Sequence, residues 1–175
     1  MAIYEFDGRK PRLSPETFVH PEAVVIGDVT IGNQCFIGPG AVIRADFGSV
    51  VIKDGTSIQD NVVIHVNGNT AGVLIEEDVV VGHGAILHDV RIAPRCVIGM
   101  GAILLYEVVC GEGAIVAAGS VVRQGMQIPA RKLVAGSPAK VIKDVPSELE
   151  QYIREGVALY RDLSLRYGKT LKRIG

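Results

Sequence analysis

An all-β solenoid of short parallel strands, closed by a C-terminal helix, is the fold this 175-residue sequence predicts, and three observations predict it. Large aliphatic residues recur every six positions at Val19, Val25, Ile31, Ile37 and Ile43, and the series continues through Ile52, Ile58, Ile64, Ile75, Val81 and Leu87. From Ile92 it runs in sixes through Ile98, Leu104, Cys110, Val116, Val122 and Ile128 to Val134. A second, smaller series follows four residues behind, with Ala23, Cys35, Ala41, Thr56, Ala85, Cys96, Ala102 and Ala114 among its members. Glycine often stands directly after the large residue, as at Gly32, Gly38, Gly82, Gly99 and Gly111. A helical period of 3.6 scatters these positions, and a plain two-residue alternation has no need of small residues at a fixed offset. Strands that turn a corner every six residues satisfy all three. The large side chain fills the interior, the small one lets the backbone close at the corner, and three strands complete a coil of about eighteen residues.

In chain order, residues 1–18 read as a cap, with a short strand over residues 3–6 stopped by Asp7-Gly8. Residues 19–140 carry the coils. Residues 146–168 predict a helix, with Ser147 as N-cap and Glu150 completing a capping box. Leu149, Tyr152, Ile153, Gly156, Tyr160, Leu163 and Tyr167 share one face of it, expected along a side of the prism, and Gly168 is the expected stop. The repeat is similar to the hexapeptide-repeat left-handed parallel β-helix; the hand is implied by that resemblance, not by the period.

The length suits one domain with one continuous core. A formal charge of −1 gives no footprint for nucleic acid or an anionic membrane. No apolar run is long enough to span a bilayer, and Glu5 and Asp7 stand where a signal peptide needs apolar residues, so a soluble cytoplasmic protein is expected. Cys35, Cys96 and Cys110 all fall in inward phase and read as buried structural thiols.

Three of the four histidines lie close together in this frame. Assigning the large residues to three faces in rotation places Ile43, Ile64 and Leu87 on one face, on successive coils. Arg44, His65 and His88 each follow one of these, so they form an outward column at the strand spacing of about 4.8 Å. His83 follows Val81 by two and belongs near the neighbouring corner, away from that column. A closed cyclic trimer sets one face of each subunit against a corner of the next, so a neighbour's His83 is placed to join His65 and His88. Three neutral imidazoles with an open fourth position are a catalytic zinc arrangement, and Fe2+ or Co2+ also suits them. Each histidine taken alone is more often a surface or interface residue than a ligand; three on neighbouring coils reverse that reading.

Ile43-Arg44-Ala45-Asp46, Ser57-Ile58-Gln59-Asp60-Asn61, Ile64-His65-Val66, Val81-Gly82-His83, Ile86-Leu87-His88 and Ala135-Gly136-Ser137-Pro138-Ala139-Lys140 resemble, in order and spacing, the gamma-class carbonic anhydrases. The similarity runs from Ile3 to the C-terminal helix and is nearest the short-loop branch that includes homologues from phenylacetate and carnitine metabolism. The resemblance implies a homotrimer whose metal is held by His65 and His88 of one subunit and His83 of the next. It implies interface ion pairing for Arg44 and Asp46, a place near metal-bound solvent for Gln59, and a supporting role for Asp60. The loop Val66-Asn67-Gly68-Asn69-Thr70-Ala71-Gly72 lacks the acidic proton shuttle of the family prototype. Tyr160 is then the candidate for that role, against its plainer reading as packing on the helix's apolar face.

The expected function is reversible hydration of carbon dioxide with zinc. The alternatives are a metal-dependent thioesterase on coenzyme A conjugates, an acyltransferase using one histidine as general base without metal, and a non-catalytic scaffold.

Overall fold

The computed structural model describes residues 2–68 and 72–175, and leaves the side chain of Tyr152 aside. The readings made for Asn69, Thr70 and Ala71, and for Tyr152 on the helix face, lie outside the described residues. The chain forms a parallel β-solenoid of about seven turns with a C-terminal helix. One face stacks seven parallel strands from Phe18–Val19 through Ser57–Ile58, Val80–Val81 and Ile115–Val116 to Lys132–Gly136, and Ala139–Asp144 folds back antiparallel on the last. This is face one. The other two faces share a continuous sheet because the strands Val24–Ile31 and Val42–Ile52 bend through the corner between them.

Strand register follows the six-residue phase. On face two Ile43 pairs with Ile64 and Ile64 with Leu87; on face three Ile75 pairs with Ile92 and Ile92 with Cys110. Every large residue of the repeat points inward, and none is more than 6% exposed. A one-residue slip would turn that whole set outward, so burial pins the register. The smaller series is equally buried, from Ala23 to Ser120. Glycine after the large residue answers to crowding between coils: a Cβ at Gly111 would stand 2.5 Å from the Ala130 nitrogen.

Corners turn through a left-handed residue three places after the inward one, such as Gly84 after Val81 and Asn61 after Ile58. One corner is a residue short. Between Leu87 and Ile92 the left-handed position is Asp89, only two after Leu87, with φ of 53°.

Both ends differ from expectation. The first strand is Ala2–Tyr4, and it pairs in parallel with Val24–Ile26, while Arg12–Leu13 pairs with Thr30–Ile31. The cap therefore continues the stack below residue 19. The helix spans Ser147–Thr170, and Pro146 holds the N-cap position in an extended conformation with no side-chain cap bond. The Ser147 capping box does not form; Glu150 is drawn instead to Arg131 at 2.6 Å. Gly168 lies inside the last turn, and the chain leaves the helix at Leu171. Ile153 and Val157 bury against Val80, Val97 and Ile115, so the helix covers face one. Its far half is held by aromatic contacts of Tyr160 with Phe36 and of Tyr167 with Phe18 and Phe36.

The three cysteines are buried, unpaired thiols, as their phase predicted. Burial pushes Cys35 up to about 11 and Cys96 up to about 12, and Cys110 well above its usual range.

Candidate metal centre

Strand pairing brings Arg44, His65 and His88 side by side on face two, with His65 opposite Arg44 on one coil and opposite His88 on the next. His65 Nδ1 and His88 Nε2 face each other 3.0 Å apart. The remaining nitrogen of each ring is held by a carboxylate. His65 Nε2 lies 3.0 Å from Asp46 Oδ1, and His88 Nδ1 lies 2.7 Å from Asp89 Oδ2.

These carboxylates only accept, so the nitrogens facing them donate. In the neutral rings the two nitrogens that face each other are then both acceptors. Two lone pairs 3.0 Å apart repel unless a cation lies between them, either one added proton or a metal. Nitrogens bound at about 2.0–2.1 Å to a tetrahedral zinc stand about 3.3 Å apart. The observed separation is near that value, and carboxylates on the far nitrogens are the usual support for metal-binding histidines. The donor set of this pair thus fits a divalent metal.

Asp46 also pairs with Arg44. Partial burial pushes the Asp46 carboxyl up, but the bonds from His65 and Arg44 together outweigh it and hold the group below its ordinary value. Asp89 was not singled out from the sequence. Its side chain is fully buried, and its second oxygen accepts the Asn67 N–H at 2.9 Å. The buried carboxylate therefore ties His88 to the start of the loop after His65. The signal was present as the five-residue step from Leu87 to Ile92, the shortened corner that turns Asp89 inward.

His83 stands apart, at the corner after the face-one strand Val80–Val81. Its Nδ1 lies 3.2 Å from Asp60 Oδ2, and its backbone N–H donates to Gln59 Oε1 at 3.2 Å. All three histidines therefore have a carboxylate at one ring nitrogen. Tyr160 sits on the helix over face one, where it packs on Phe36 and shares a cavity with Gln59. The tyrosine against the face-two pair is Tyr106, whose ring centre is 4.4 Å from that of His88.

The predicted site residues thus separate into two sets within one chain. Arg44, Asp46, His65 and His88 gather on face two, while Gln59, Asp60, His83 and Tyr160 gather about face one and its corner. Among the described residues no group of three or more His, Cys, Asp or Glu forms a metal-holding set in a single chain. Large apolar side chains lie exposed beside the face-two pair: Phe47, Val63, Ile86 and Tyr106, with Met100 at the corner one coil above His83. Among the described residues no helix is long and apolar enough to cross a membrane.

The bacterial transferase hexapeptide family (six repeats) matches residues 10–45. The carnitine operon protein CaiE of Proteus sp. (strain LE138) is 40% identical over 167 residues, which are 95% of this chain and 84% of that protein. A hexapeptide transferase family protein from Anaplasma phagocytophilum superposes with a TM-score of 0.90 at 34% identity, over 95% of this chain and 98% of that one. A Bacillus cereus protein provisionally assigned as an acetyltransferase gives 0.93 at 34% identity, over 95% and 96%. The chain belongs to the bacterial hexapeptide-repeat transferase family.

Proposed function

We propose that this protein is a homotrimeric metalloenzyme that hydrates carbon dioxide, with zinc held by His65 and His88 of one subunit and His83 of the next. The single observation that carries the reading is the pair of opposed nitrogens, His65 Nδ1 and His88 Nε2, each on a ring fixed by a carboxylate. The resemblance to gamma-class carbonic anhydrases supplies the reaction, and the exposed apolar residues around the pair suit burial against a second copy.

A bound zinc supplies Lewis acidity, which makes water acidic enough to act as a nucleophile near neutral pH. The rest is done by the chain. Asp46 and Asp89 each accept from the far nitrogen of a ring, which orients the rings and, in their neutral form, leaves the two facing nitrogens as acceptors. Asp60 does the same for His83, leaving that ring's Nε2 to point away from its own carboxylate. The Gln59 carbonyl is occupied by the His83 N–H, so its amide group remains to donate to a substrate oxygen. Tyr106 packs its ring against that of His88.

A second reading is acyl transfer without metal, and the contact of His83 with Asp60 favours it, because a carboxylate-oriented histidine suits a general base. The names of the relatives favour it too. A metal-dependent thioesterase on coenzyme A conjugates uses the first site for a different carbonyl. Anaerobic purification, metal quantification and carbon dioxide hydration assays on the native protein and His83→Ala separate these. About one metal per subunit is expected, with metal and activity both lost in the variant. A metal-free protein that transfers acyl groups would overturn the first reading.

A further inference from the structure

A cavity of about 300 Å3 lies between the C-terminal helix and face one. Its walls are apolar: Val80, Val97 and Ile115 from the sheet, and Leu149, Ile153 and Leu159 from the helix. Gln59 and Tyr160 also line it, and the Gln59 carbonyl accepts from the backbone of His83. The cavity therefore adjoins the residue proposed to complete the metal site.

A further observation marks it as a place for a ligand. Gly156 lines it from the middle of the helix. Glycine is the poorest helix former after proline, and this one meets no crowding, for a Cβ built there has nothing within 4 Å. Its backbone shows no left-handed conformation that would require glycine. What its missing side chain does is leave room.

The size is at the lower end for organic ligands and holds about ten waters' volume, far more than a triatomic substrate fills. Among the described residues no Lys, Arg or His lines the cavity, so burying a free carboxylate there is unfavourable. We propose that this cavity binds the short apolar chain of a neutral carbonyl compound, an ester, thioester or amide, with its carbonyl directed to the Gln59 end. The catalytic meaning of this substrate class rests on the metal-dependent hydrolase reading of the proposed site, in place of carbon dioxide hydration; the binding itself does not.

Hexanamide is a suitable unreactive probe, with acetamide as the short control and hexanoate as the charged one. Methyl NMR of the full-length protein is titrated with and without zinc, alongside Gly156→Ala and Gly156→Leu. Saturable shifts at Val80, Val97, Ile115 and Leu149 are expected with hexanamide, and at least about tenfold weaker binding of both controls. Gly156→Ala should weaken binding and Gly156→Leu abolish it, with unfolding temperature unchanged or raised in both. Absence of saturable shifts, or unaltered binding in well-folded Gly156→Leu, would overturn the proposal. Binding that persists without zinc in a protein that takes up no metal would leave the cavity standing and remove the metal reading.

Discussion

His65 and His88 sit opposite each other on adjacent strands, and their facing nitrogens are 3.0 Å apart while Asp46 and Asp89 hold the other two. The pair is built by the repeat. Ile64 and Leu87 are locked inward, so the next residue of each strand must emerge on the same outer column.

Asp89→Asn tests the support of His88. Asparagine tolerates the left-handed backbone and keeps an acceptor for the Asn67 N–H. It lacks the charge that holds His88 Nδ1 as a donor, so metal affinity is expected to fall about 10–100-fold. Competition with a chromophoric chelator measures this, and the fold and assembly should be unchanged.

Gln59→Ala tests the donor beside His83. Metal content is expected to stay at the native level while kcat falls about 100-fold, the scale for losing one preorganised hydrogen-bond donor. Parallel metal analysis and steady-state kinetics give the answer. A fall in metal content would instead make Gln59 a support for His83.

Gly111→Ala tests the crowding between coils. The new Cβ would meet the backbone of Ala130 at 2.5 Å, and backbone cannot yield as a side chain tip does. A loss of about 2 kcal/mol or more is expected in denaturant unfolding. Ser147→Ala should cost less than about 0.5 kcal/mol, because no cap bond exists to lose.

The thiols set an alkaline limit. In the unfolded chain they ionise from the ordinary value of 9.0, whereas burial holds the proton on Cys35 to about 11 and on Cys96 to about 12. The folded state therefore binds more protons above pH 9, and stability is complete below that pH and falls as pH rises toward 11–12. Alkylation at pH 8 should be slow for all three thiols in the native protein and rapid after unfolding. Mass spectrometry of the iodoacetamide-treated protein checks it.

Much of this was legible because the core leaves little freedom. With Val19 on face one, counting in sixes assigns Ile58, Ile64 and Ile75 to the faces where the structure has them, and hence His65 to the column of His88. What was hidden depended on contacts between distant segments. The stack reaches Ala2 because Val24–Ile26 offers it an open edge, although the N-terminal segment carries little of the aliphatic series. Ser147 has the composition of a cap, but Pro146 takes the position and Arg131 attracts Glu150 from another element. Tyr160 looks equivalent to any apolar helix residue until the helix is laid on face one, beside Gln59. Asp89 was readable, as an acid at the one corner with a missing residue.

The most direct measurement of a metal site shared between chains is subunit mixing. His65→Ala and His83→Ala proteins are each expected to bind no metal and to be inactive. Mixed at equal amounts under conditions of proven subunit exchange, about a quarter of the interfaces in a closed ring pair an intact His65–His88 face with an intact His83. Recovery of metal and activity to about that level is the expected result. No recovery despite exchange, or full metal binding by either variant alone, would contradict a site shared between His65, His88 and a neighbour's His83.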